Sequence, residues 1–80
     1  MAGRRGFGVH TVPLAGARRG WGNSVAGVVV SRHRVQRTAL AVGRRLAMVL
    51  RTEHVIHRPD GRIRDKNSYG ADACPPRDQR

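Results

Sequence analysis

Eighty residues carrying 15 arginines, one lysine and five acids have a net charge of +11, and that length allows one small domain at most. Leu, Ile, Val and Phe supply only 17 residues, near the composition at which chains stop folding alone, and a core in a chain this short seldom yields more than about 3–5 kcal/mol. Cys74 is the single cysteine, which excludes an internal disulfide, and no apolar run of about 18 residues is present to span a bilayer.

The charge is unevenly placed. No Asp or Glu occurs before Glu53, so residues 1–52 carry ten arginines unopposed, whereas the remainder has six basic and five acidic groups. A segment of that charge repels itself when compact and attracts polyanions without sequence preference. Arginine so far in excess of lysine also fits GC-rich coding, so composition alone does not separate the two origins.

Residues 1–24 predict a disordered Gly/Arg-rich leader, with Arg-Arg-Gly at Arg4–Gly6 and Arg18–Gly20 beside Phe7 and Trp21. Arg-Gly segments with interspersed rings can track a nucleic-acid strand, but two aromatics are too few for a stacking platform. Arg4 and Arg5 are not followed by the apolar core of a secretory signal, and seven glycines in the first 27 residues oppose an amphipathic transit helix. The expected location is cytoplasmic.

Residues 25–64 predict a short strand, an amphipathic helix and a turn. Val25–Val30 has the β-branched content of a strand, weakened by Gly27, and Ser31 is placed to cap the following helix. From Arg34 to Thr52, at about 100° per residue, Val35, Ala39, Val42, Leu46, Val49 and Leu50 share one face. Arg34, Arg37, Arg44, Arg45 and Arg51 share the other. Gly43 inside this helix costs about 0.8–1.0 kcal/mol relative to alanine. Arg37, Arg44 and Arg51 form a row about 21 Å long at a 1.5 Å rise, comparable to several phosphates along a strand. No acid is present for pairing within the helix, so the repulsion calls for an anionic partner. The apolar stripe is more than this chain is expected to cover, which leaves that face open to a protein partner.

Pro59-Asp60-Gly61 has turn chemistry, flanked by Val55–Arg58 and Arg62–Arg64, which allows a short hairpin or an open turn. Residues 65–80 predict a flexible polar tail. The fold expected is therefore mainly α with disorder: one basic amphipathic helix, a short strand before it, a hairpin after it, and no independent core.

No chemistry-bearing constellation emerges. His54 and His57 are spaced for one helix face, but two imidazoles do not make a structural zinc site, which needs four ligands. They are expected on the surface, with no metal or cofactor. Ser24, Ser31, Ser68 and Cys74 lack a base and an orienting group, and Asp60, Asp65, Asp72 and Asp78 lie on turn and tail, where nothing aligns them for metal-assisted transfer. No catalytic residue and no enzyme activity are expected.

The stretch Thr38–Arg51, TALAVGRRLAMVLR, resembles the closing helix of bacterial insertion-sequence transposases of the Piv/MooV class, which have a DEDD, RuvC-like N-terminal domain. Ala39, Val42, Arg44, Arg45, Leu46 and Ala47 match that helix, with Gly43 replacing its usual alanine. The resemblance covers about a quarter of the chain and carries no catalytic residue across. It implies a truncated transposase end, inactive alone, that retains affinity for DNA or RNA through Arg34, Arg37, Arg44, Arg45 and Arg51. The alternatives are an independent small basic nucleic-acid-binding protein and an orphan reading frame without selected function.

Overall fold

The computed structural model describes residues 8–16 and 19–70. Strands β1 (Val9–Leu14), β2 (Gly20–Val25) and β3 (Val28–His33) precede helix α1 (Gln36–Leu50), which is followed by β4 (Glu53–His57) and β5 (Ile63–Ser68). All five strands form one sheet in the order β3-β2-β1-β4-β5. Neighbours are antiparallel except β1 and β4, which run parallel, as a chain returning through a crossover helix requires.

This corrects the expectation of a mainly α, largely disordered chain. β1 and nearly all of β2 lie within the expected leader, and β5 begins at Ile63 and runs into the expected tail. Phe7, Arg18 and Cys74 lie outside the described residues. β2 escapes propensity because Gly22 and Asn23 are poor strand formers. In place they fit: a Cβ at Gly22 would meet Leu14 side-chain carbons at 3.1 and 3.2 Å, and the amide of Asn23 is fully engaged in hydrogen bonds. β5 is a sheet edge exposed at every residue, so it shows no apolar alternation, and its charges guard that edge against pairing with other chains. Pro13 is tolerated in β1 because the pairing with β4 stops at Thr11.

The apolar run expected as one strand, Val25–Val30, is split by a two-residue turn. Val25 pairs with Val28, and Ala26 and Gly27 both have positive φ, 53° and 83°. Two left-handed residues make the type I′ turn that suits the twist of a hairpin, where Asn-Gly is favoured. Alanine there is strained, so Ala26→Asn is expected to stabilise the protein by about 1 kcal/mol. A rise in the urea midpoint at unchanged slope checks this; an unchanged midpoint counts against the turn geometry.

α1 lies where periodicity places a helix, but its buried stripe is rotated: of the expected face Ala39 is buried and Val42 and Leu46 are half-buried. Ala39, Gly43 and Ala47 face the sheet and are buried, whereas Val35, Val49 and Leu50 remain 52%, 78% and 40% exposed. Small residues every four positions let the helix backbone come close to the strands, and that close approach, rather than side-chain bulk, sets which face turns inward. Ser31 is not the cap: it lies within β3, and the helix begins after Val35 without a side-chain cap bond. At the other end Arg51 adopts the left-handed conformation, φ 55°, and Thr52 N–H donates to Ala47 O at 3.0 Å, the arrangement usual for a glycine.

The chain has a small core of its own, which corrects the expectation of none. Val9, Ala39, Ala47, Val55 and Ile56 are buried, and so are the polar Thr11, Asn23 and His54. The hairpin after α1 closes with Arg58 N–H donating to Arg62 O at 2.7 Å and Arg62 N–H to Asp60 Oδ1 at 3.0 Å.

Candidate functional site

The five arginines named from the sequence are all exposed in the fold. Arg37, Arg44 and Arg45 project from α1, Arg34 lies just before it and Arg51 caps it. Among the described residues the ion pairs are Arg62–Asp60 and Lys66–Glu53, both at the solvent-exposed surface of the β4–β5 hairpin. None of the five arginines has an acidic partner there. The basic surface continues past the helix: Arg19, Arg32, His33 and Arg34 border, with Leu14, a hollow of about 200 Å³ at the β2–β3 end of the sheet. Arg19 belongs to the Arg18–Gly20 step beside Trp21, whereas Arg32 lies in a segment with no nucleic-acid signal of its own; the pairing of β2 with β3 brings both beside Arg34. Trp21 sits half-buried in β2 opposite Pro13.

Beneath α1 runs a polar network that sequence reading missed. Thr11 Oγ1 donates to Asn23 Oδ1 at 2.6 Å, and His54 Nε2 lies 2.7 Å from the same hydroxyl. Asn23 Nδ2 donates to Ala39 O at 3.0 Å and to Ser31 Oγ at 3.1 Å, and His33 Nε2 lies 3.0 Å from that serine. The single hydroxyl proton of Thr11 is committed to Asn23, so His54 must donate through Nε2–H. Its Nδ1 then carries a lone pair. Gly43 stands over the three central members. The residues come from β1, β2, β3 and β4, so no local spacing signals them.

His54 and His57 were expected together on the surface. A strand separates them instead, because residues three apart point to opposite faces of a sheet. His54 is 2% exposed beneath the helix. His57 Nδ1 donates to Gly61 O at 2.9 Å, and its Nε2 lies 3.1 Å from His10 Nδ1. No group of three or more histidine, cysteine, aspartate or glutamate side chains able to hold a metal occurs among the described residues. No helix there is long and apolar enough to cross a membrane.

Burial holds the imidazole of His54 below its ordinary value of 6.5, and the positive charges of Arg44 and His10 push it further down. His10 is lowered as well, by burial first and by His57 second, against an opposing pull from Glu53. A base weakened by folding takes up its proton first in the unfolded chain. Stability is therefore complete above about pH 6.5 and drains away as the pH falls through the folded-state values. The melting temperature is expected to be lower at pH 5 than at pH 7.5, with a smaller drop in His54→Gln. An equal or higher midpoint at pH 5 would count against a neutral His54.

A family described as an uncharacterized protein conserved in bacteria, DUF2188, matches residues 9–69. That match overturns the likeness to a transposase end. The matched region takes in all five strands as well as the helix, and the small residues of Thr38–Arg51 serve to seat α1 on the chain's own sheet. No curated protein and no solved structure matches the chain.

Proposed function

We propose that this chain, which belongs to the DUF2188 family, is a small nucleic-acid-binding module that holds phosphates on the outer face of α1. The observation that carries the reading is the exposure of Arg34, Arg37, Arg44, Arg45 and Arg51 with no acidic partner among the described residues. Folding has turned the helix's small residues inward and left its cations in water, unopposed by any acid on the helix itself. Guanidinium groups present paired donors that match phosphate oxygens, and a row of them neutralises successive charges along a strand. The hollow at Arg19, Arg32 and Arg34 extends the same field around the end of the sheet. Contacts of this kind position a nucleic acid without reading its sequence, and the role is one of binding rather than catalysis. A cytoplasmic location goes with it. The test is the salt dependence of binding to a short duplex: about five phosphate contacts give a slope of log K against log salt of roughly −4 to −5. No measurable binding at low salt would overturn the reading.

A further inference from the structure

A pocket of about 240 Å³ opens between α1 and the β4–β5 hairpin, with Leu40 and Ile56 as its apolar walls and Arg44, His54, Asn67 and Tyr69 as its polar ones. Its volume falls below the roughly 300–1,000 Å³ of sites for larger ligands, so it accommodates one ring rather than an extended molecule. His54 is the most telling member. It is 2% exposed, its Nε2–H is committed to Thr11, and its Nδ1 lone pair has no hydrogen-bond partner among the described residues. A buried polar atom left unmatched calls for a ligand or a water to satisfy it. Asn67, which pairs with His54 across the β4–β5 ladder, adds an amide with both donors and an acceptor. Tyr69 supplies an aromatic ring, and Arg44 belongs at once to this pocket and to the exposed cationic row.

We infer that this pocket receives a single base of a single-stranded nucleic acid, stacked against Tyr69, with its edge toward His54 and Asn67 and its phosphate on Arg44. The inference rests on the reading of α1 as a phosphate-binding face and adds to it a site for the base. A strand whose phosphates follow the helix delivers its rings to the flank where Arg44 stands, and unpaired bases are what aromatic side chains and polar edges capture in single strands. The acceptor on His54 takes an N–H of the base edge, and the exocyclic amino group of cytosine supplies that donor while its neighbouring ring nitrogen leaves an acceptor for the Asn67 amide.

The experiment is an NMR titration of the uniformly labelled full chain with cytidine 5′-monophosphate, with inorganic phosphate, and with a short oligo-dC strand. The nucleotide and the strand are expected to shift His54, Asn67 and Tyr69, whereas phosphate alone moves only the surroundings of Arg44. Tyr69→Ala should weaken oligo-dC binding about tenfold, by loss of one stacked base, with duplex binding unchanged, and Tyr69→Phe should restore it. Should oligo-dC shift the α1 arginines while leaving His54, Asn67 and Tyr69 in place, the pocket inference is overturned and the helix reading stands. Should neither duplex nor single strand bind at low salt, the helix reading fails, and an absent response to cytidine 5′-monophosphate then overturns the pocket on its own.

Discussion

Gly43→Ala is expected to destabilise the protein by about 2–4 kcal/mol, although alanine in a helix is ordinarily better than glycine by about 0.8–1.0 kcal/mol. The sign is decided by what the methyl group would meet. A Cβ at Gly43 would lie 2.7 Å from both His54 Nε2 and Thr11 Oγ1, and it would collide with Asn23 Oδ1 as well. These are not flexible side-chain ends that can swing away. Each is held by the others and by Ala39 O, so making room means either lifting α1 off the sheet or parting the network. Parting it leaves buried polar groups unmatched, at about 1–3 kcal/mol each, which outweighs the gain in helix propensity. Against the roughly 3–5 kcal/mol that the core of so short a chain yields, the loss is large. Urea denaturation measures it, with Ala41→Gly at an exposed helix position as the propensity control. A Gly43→Ala protein as stable as the parent would show that α1 does not sit so close to Thr11, Asn23 and His54.

The same glycine explains why the helix was legible in outline and misjudged in orientation. Period and charge mark the segment from Arg34 to Thr52, and the arginines do lie on its outer side. The expected stripe contains Ala39 but is otherwise built of Val and Leu, whereas close packing over a polar network selects Ala39, Gly43 and Ala47. Gly43 carries the clue, but a glycine in a glycine-rich chain is an ambiguous signal. The turn at Pro59-Asp60-Gly61 was readable because its chemistry is local: proline sets φ, Asp60 accepts from Arg62 N–H, and Gly61 takes φ 92°. The strands were largely hidden for a different reason. β2 is held by Asn23 and by glycines at close contacts, and β5 is a polar edge, so although both pair with strands next to them in the chain, neither shows the apolar alternation that marks a strand. The pocket at His54 was beyond reach, since Leu40, His54 and Asn67 meet only once α1 is laid across β4 and β5.

Replacing Arg34, Arg37 and Arg45 together with glutamine is expected to cut duplex affinity by roughly 500-fold at about 0.1 M salt, if each makes one phosphate contact. Each contact contributes about −0.9 to the slope of log K against log salt, so three removed contacts flatten the slope by roughly 2–3 and, near 0.1 M salt, lower log K by about the same amount. Arg44 is kept in this variant, which leaves the pocket beside His54 intact, so cytidine 5′-monophosphate should still shift Asn67 and Tyr69. The loss should fall equally on all duplex sequences, because phosphate contacts carry no base information. The fold should hold: the three side chains are exposed, none is hydrogen-bonded through its side chain among the described residues, and relief of like-charge repulsion along α1 favours the helix. Fluorescence anisotropy across a salt series reads both quantities, and circular dichroism confirms the fold. A triple variant that keeps both its affinity and its slope would remove the outer face of α1 from the binding surface and shift the contacts to arginines elsewhere, beginning with Arg19 and Arg32 at the β2–β3 end of the sheet.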